Sequence, residues 1–155
     1  MSWTKTTLAA AAVLGALAFP AASSASLPKV LTQDEAHPFV VRPASISYTG
    51  DGTGVIGGFD GTYADDPGHL TWGKYTKNQG RATGALWLDD CDPSCAEGTF
   101  TAVPVSVHVF RPSHGRFTRL TLKYTYQNDH YTDRRAIRHY SSDGYGPSYW
   151  MYYIL

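Results

Sequence analysis

The chain has few of the features that usually reveal what a protein does: it is poor in cysteine, in long apolar runs and in excess charge. It has 155 residues with only two cysteines, and its 13 basic residues balance 13 acidic ones. This balance argues against bulk electrostatic attraction to nucleic acid or to an anionic membrane. No histidines stand at the helical spacing of a metal-ligand pair, and no serine lies in a nucleophile elbow. The sequence therefore carries no catalytic signature, and we expect neither a cofactor nor a nucleic-acid partner.

Residues 1–25 have the three parts of a secretory signal peptide. Lys5 gives a positive start, residues 8–19 are apolar, and a tail of small residues ends at Ala25. The apolar run of about a dozen residues is shorter than the roughly 20 that span a bilayer, so we predict no membrane span. Cleavage directly after Ala25 would release a secreted, extracellular protein. No cysteine stands at the end of this leader for lipid attachment.

The mature chain is predicted to be a flexible lead-in over residues 26–41, followed by one β domain over residues 42–155. Within this domain, three segments alternate between apolar and polar residues, which is typical of half-buried antiparallel strands. These segments are residues 83–89, 99–110 and 116–126. In the second, Val103, Val105, Val107 and Val109 share one face. Pro104 lies on the opposite face and removes a hydrogen-bond donor, which predicts a sheet edge or a bulge there.

Weaker signals complete the fold class. Residues 44–49 and 55–59 predict a hairpin, and residues 70–75 predict a further strand. Residues 132–140 fit either one or two helical turns or a strand. Residues 149–155 are aromatic or apolar on both faces and predict a strand buried on both sides. We therefore predict an all-β fold, a single antiparallel sandwich or barrel.

The two cysteines, Cys91 and Cys95, are predicted to form one short-loop disulfide. In an exported protein a disulfide is expected, and closing a five-residue loop contributes about 2 kcal/mol on the chain-entropy model. The alternatives are a metal pair, which lacks two further ligands, and a redox pair, which favours a two-residue spacing at a helix N-terminus.

Four acidic residues surround this loop. Asp89, Asp90, Asp92 and Glu97 offer hard oxygen ligands, so the first three are weak calcium candidates. Their spacing is not that of a helix–loop–helix calcium site, and acidic turns are usually only solvated. We therefore predict no metal site.

From Arg42 to Tyr126 the order of motifs resembles a group of small secreted or lipid-anchored actinobacterial proteins of unknown function. The most specific motif is D-C-x-P-S-C-A-x-G, which here begins at Asp90. The others are Arg42-Pro43, the turn at Thr49–Gly52, Trp72, Gly84, Phe100, Pro104-Val105 and Phe117–Leu122. The resemblance implies export, a small β domain and a disulfide. It implies no active site, and the aromatic segment after Tyr126 lies outside it.

Aromatic side chains suggest binding rather than catalysis. The candidate ligand-facing residues are Trp72, Trp87 and Trp150, among many tyrosines that include Tyr131 and Tyr149. Flat rings with polar tips stack on sugars or anchor a protein partner. The first hypothesis is thus a secreted non-catalytic β protein that binds a cell-wall component, a glycan or a protein.

Two alternatives remain for the function. One is a small secreted hydrolase that uses a histidine and a carboxylate, with His108 beside Asp51 or Asp133 as a candidate arrangement. The other is a secreted inhibitor whose rigid loop is formed by residues 89–98.

Overall fold

The computed structural model describes residues 26–32, 36–47, 49, 54–57, 69–141 and 148–155, so the predicted signal peptide lies outside the described residues. Within these ranges the chain forms β-strands and no helix, and hence no helix that could span a membrane. The strands are β1 (Val30–Leu31), β2 (Phe39–Val40), β3 (Ile46–Ser47), β4 (Gly54–Ile56), β5 (Thr71–Tyr75), β6 (Gln79–Asp89), β7 (Phe100–Ser113), β8 (Arg116–Tyr126), β9 (Asp129–Tyr140) and β10 (Tyr149–Ile154).

One antiparallel sheet dominates the molecule and curls into a half-barrel. Its strand order is β10-β9-β8-β7-β6-β4-β3, and β5 also pairs with β6. The edge of β6 that faces away from β7 is shared, since β4 pairs with its second half and β5 with its first half. The predicted all-β antiparallel fold is confirmed, and the predicted hairpin of residues 44–49 and 55–59 corresponds to β3 and β4.

The apolar residues of the alternating segments form the core, as predicted. The four valines of β7 are buried, and Leu120 and Leu122 of β8 join them in the main cluster. Pro104 is a local edge, as predicted. It faces Ala85 of β6, but the pairing of β7 with β8 begins only at Val105 and Tyr124.

Two tight hairpins connect the long strands β7, β8 and β9. The turn residues of the first are His114 and Gly115, and those of the second are Gln127 and Asn128. All four have positive φ, between 49° and 73°. Two-residue loops of this kind match the right-handed twist of the flanking strands. Residues 132–140, which fitted either helical turns or a strand, belong to β9 because the second hairpin returns the chain along β8.

The N-terminal segment contributes to the core. Val30 and Leu31, which lie within the predicted lead-in, are fully buried in the main cluster. The hydroxyl of Tyr75 donates a hydrogen bond of 2.6 Å to the carbonyl oxygen of Pro28. This part of the lead-in therefore packs against the sheet, because its aliphatic residues cover apolar surface inside the curl.

The C-terminal strand differs from its prediction of burial on both sides. Among the described strands, β10 pairs with β9 alone and lies at the edge of the sheet. Tyr152 is its one fully buried side chain, whereas Tyr149 is 53% and Ile154 is 65% exposed. An aromatic segment resembles a central strand in sequence because composition alone does not reveal whether a second neighbour pairs with it.

Candidate functional site

A groove opens where β7 and β8 separate. Val105 and Tyr124 are the last residues that pair these strands at this end. Beyond them β7 continues along β6, while β8 continues along β9, so a notch of about 520 Å³ lies between the two ribbons. Residues from both ribbons line it: Thr83, Gly84, Pro104, Val105, Ser106, Lys123, Tyr124, Thr125, His130, Tyr131 and Thr132.

Polar side chains form a row on one side of this groove. In the sheet register Thr83 pairs with Ser106, Ser106 with Lys123, and Lys123 with Thr132. Side chains of directly paired residues point to the same face, so this row lies opposite the valine face of β7. All four residues are exposed. The row therefore presents three hydroxyl groups and one ammonium group to solvent.

A pair of tyrosines lines the groove from the opposite face of the sheet, because Tyr124 pairs with Val105 of the valine face. Tyr124 and Tyr131 are cross-strand partners whose rings stack with centroids 5.1 Å apart and an interplanar angle of 11°. Tyr124 is half-buried and packs against the core, whereas Tyr131 is 40% exposed. Beside them, the hydroxyl of Thr125 and Nδ1 of His130 share a hydrogen bond of 2.9 Å. Tyr131 is thus held on one face and open on the other.

The three predicted ligand-facing tryptophans do not line this groove. Trp72 is half-buried and donates its indole N–H to the carbonyl oxygen of Pro43 at 2.7 Å. Trp87 is only 5% exposed and packs with Val55 and Ala85, so it does not face solvent. Trp150 is half-buried at the opposite end of β8, where it contacts other aromatic and basic side chains.

The cysteine loop is a clamped connection between β6 and β7. Cys91 and Cys95 are joined at an S–S distance of 2.12 Å, as predicted. A carboxylate oxygen of Asp89 accepts the N–H of Cys91 at 3.0 Å, and one of Asp90 accepts those of Asp92 and Thr99. The bond from Thr99, followed by that from Asp92, lowers the pKa of the Asp90 carboxyl.

The potential metal ligands of this loop are engaged in bonds within the loop. The close group of potential metal ligands in the described part of the chain is Asp89 with Cys91 and Cys95, whose sulfurs are bonded to each other. The calcium candidates Asp89 and Asp90 use carboxylate oxygens to hold the turn. The loop side chains from Asp92 to Glu97 are exposed.

The histidines with defined hydrogen bonds have neutral partners. Nε2 of His108 lies 3.1 Å from Oε1 of Gln79, and the ring of His114 lies 2.9 Å from the hydroxyl of Ser113. Partial burial, and next the charge of Arg81, lower the pKa of His108. Asp133, a candidate triad acid, forms an ion pair with Arg135 at 3.0 Å. Asp51, the other candidate acid, lies outside the described residues.

No protein-family profile, no curated protein and no solved structure matches this chain. The candidate site therefore depends on its own geometry. In the sequence Tyr131 is one of many aromatic residues, and no local pattern distinguishes it from the others. The one sequence signal at the groove is Pro104, because a proline inside a long alternating strand indicates that pairing stops on one side.

Proposed function

We propose that this protein is a secreted, non-catalytic glycan-binding protein whose binding site is the groove between β7 and β8. The observation that carries the proposal is the ring of Tyr131, which rests on Tyr124 with one face and is 40% exposed. Export is supported by the predicted leader and by the disulfide, since disulfides persist in oxidising compartments.

The groove has the chemistry that a sugar requires. A pyranose ring has an apolar face of C–H groups that packs on a flat aromatic ring, and its rim carries hydroxyl groups. The side chains of Ser106, Thr83 and Thr132 line the notch from the other face of the sheet. They both donate and accept hydrogen bonds, which matches the hydroxyl groups of a glycan. A concave site with an aromatic surface and a few polar groups is typical of small-ligand binding.

The charge of the groove selects the kind of glycan. Lys123 is the one Lys, Arg, Asp or Glu side chain among the described lining residues. A single ammonium group does not prevent a neutral polysaccharide from binding, and it attracts a highly charged one only weakly. The preferred ligand at this groove is therefore a neutral or weakly acidic glycan.

Binding of the mature chain, from residue 26 onward, to purified cell-wall polysaccharides tests the proposal by co-sedimentation and calorimetry. Tyr131→Ala should weaken binding about tenfold, or about 1.4 kcal/mol, because the stacking surface is lost. Tyr149→Ala is the matched control, since Tyr149 is also exposed and also stacks on a tyrosine, Tyr140. Absence of binding to every glycan tested, or equal loss in both variants, would refute the groove as a glycan site.

A second candidate function, inhibition of a secreted enzyme, is favoured by the cysteine loop. Residues 92–97 are exposed, while a disulfide and several hydrogen bonds hold the loop in one shape. A rigid exposed loop loses little entropy when it binds a protein partner. Inhibition of a panel of secreted proteases tests this function, and Asp92→Ala with Ser94→Ala should remove it. Full protease activity in the presence of excess protein would exclude it for that panel.

A further inference from the structure

Two basic residues, Arg116 and Lys29, lie side by side at the start of β8, at the end opposite to the groove. Lys29 forms a parallel bridge with Arg116. In this bridge the N–H of Lys29 donates to Gly115 and the N–H of Phe117 donates to Lys29, each at 2.9 Å. Paired residues direct their side chains to the same side, so Lys29 lies beside Arg116. The ring of His139, on β9, lies 4.6 Å from that of Trp150.

The guanidinium group of Arg116 packs against two aromatic rings. Its central carbon lies 4.6 Å from the ring centroid of Phe39 and 4.5 Å from that of Trp150. Both rings are half-buried and meet edge to face at 5.4 Å. Cation–π contacts use none of the hydrogen-bonding capacity of the guanidinium, and Arg116 is only half-buried.

No acidic side chain in the described part of the chain contacts Arg116, Lys29 or His139. A fixed arginine is normally matched by a carboxylate or phosphate, with which its N–H groups form two parallel hydrogen bonds. Here the position is fixed by Phe39 and Trp150 instead. The cluster therefore has an ordered donor edge and a second positive charge, but no anion from these residues to neutralise them.

We propose that Arg116 and Lys29, positioned by Trp150 and Phe39, form a second binding site that takes the carboxylate or phosphate group of an acidic glycan. Arg116 donates two N–H groups to the anion, and Lys29 adds a charge next to it. That the site binds an anion is inferred from the contacts of Arg116 and Lys29 alone. That this anionic group belongs to a glycan rests on the proposed function.

The competing explanation is that Arg116 only fastens β2 to β10. In that case Arg116→Ala would lower stability, but no anion would bind. The two explanations differ in whether the protein binds an added anion, because an arginine with a purely structural role binds none.

The test is a titration of the mature chain followed by two-dimensional NMR, with the indole N–H of Trp150 assigned through Trp150→Phe. Sodium phosphate, sodium glucuronate, a glucuronate oligosaccharide and a neutral glucose oligosaccharide are added separately at constant ionic strength. We expect the Trp150 signal to shift with each anion and not with the neutral sugar. The glucuronate oligosaccharide should bind more tightly than free glucuronate.

Variants locate the effect. Arg116→Ala should weaken anion binding at least tenfold. Lys29→Ala should weaken it about threefold. Lys29 is exposed, so its variant keeps the packing of the cluster. Arg138→Ala is the matched control, because Arg138 also lies over one aromatic ring, that of Tyr153. Absence of a Trp150 shift with every anion, or equal weakening by Arg138→Ala, would overturn the site.

The outcomes also separate this site from the groove. If Tyr131→Ala keeps anion binding, the second site stands whether or not the groove binds glycan. If free phosphate and glucuronate bind but the glucuronate oligosaccharide binds no more tightly, the glycan carrier is wrong.

Discussion

The surfaces at the two ends of β8 differ in charge. At its start, Arg116 and Lys29 present positive charge. They lie beside Phe39 and Trp150, whose rings contact each other edge to face. At its end, Tyr124 and Tyr131 line a groove of hydroxyl groups with little charge. The two sites lie about 25 Å apart at roughly 3.3 Å per residue of strand. One strand can therefore hold two independent recognition surfaces.

The physical support of the two ends also differs. Phe117, next to Arg116, is fully buried and packs edge to face with Tyr75 at 5.6 Å. At the other end β8 has lost its pairing with β7, and Tyr124 is only half-buried. The start of β8 is thus part of the core, whereas its end is a surface feature that tolerates side-chain change.

The largest expected effect is on stability at the start of β8. Phe117→Ala should lower the free energy of unfolding by about 3–5 kcal/mol, because it leaves a cavity in a packed core. Urea denaturation followed by circular dichroism measures the change. Tyr131→Ala, at the exposed end, should cost less than about 1 kcal/mol. Similar losses in the two variants would contradict the difference in support.

The next largest effect concerns the disulfide, which clamps the β6–β7 connection. Replacing Cys91 and Cys95 together by serine should lower the free energy of unfolding by about 2 kcal/mol on the chain-entropy model. Denaturation of oxidised and doubly substituted protein measures this difference. The unsubstituted protein should also show no alkylated thiol by mass spectrometry without reductant, and two alkylated cysteines would disprove the bond.

The independence of the two ends can be tested by combining variants. Tyr131→Ala should weaken glycan binding about tenfold and leave anion binding unchanged, while Arg116→Ala should do the reverse. In the double variant the changes in free energy should add within about 0.5 kcal/mol, because the sites share no partner. Calorimetry with a neutral and an acidic oligosaccharide measures both. A larger deviation would show that the two ends form one site.

The smallest expected effect is the pH dependence that His108 causes. Its pKa is lowered in the folded protein, so the unfolded chain binds a proton more readily. The stability that His108 contributes is therefore present above the unfolded pKa of about 6.5 and is lost as the pH falls from there through the folded pKa.

His108→Gln should flatten this part of the curve of unfolding free energy against pH. The effect is small because the ring is only partly buried and solvent still screens its charge. His114→Gln, in the exposed turn between β7 and β8, is the control. A wild-type slope that persists unchanged in His108→Gln would contradict the assignment.

The parts of the fold that were predictable are those in which a strand has one buried face. Val103 to Val109 alternate with polar residues, so the register and the core face of β7 follow from the pattern. Residues 132–140 were ambiguous because Ala136 and Ile137 are adjacent, which breaks the alternation. The edge position of β10 was not predictable, since aromatic residues are compatible with a central strand or an exposed one.

The candidate sites were less predictable for the same physical reason. Pro104 indicated where pairing would end, but not that Thr83, Ser106 and Thr132 would line the resulting notch. Trp150 was singled out by its residue type, yet its partners Phe39 and Arg116 come from distant parts of the chain. Contacts of this kind depend on strand order and curl, which local patterns do not encode.

By itself, the sequence determined the strand class, the core face of the long strands and the pairing of its two cysteines. These follow from local alternation and from the presence of only two cysteines in the chain. Only the tertiary structure decided that β7 and β8 separate at Pro104 and that Arg116 lies between Phe39 and Trp150. Both depend on long-range pairing, which brings together residues that no local rule connects.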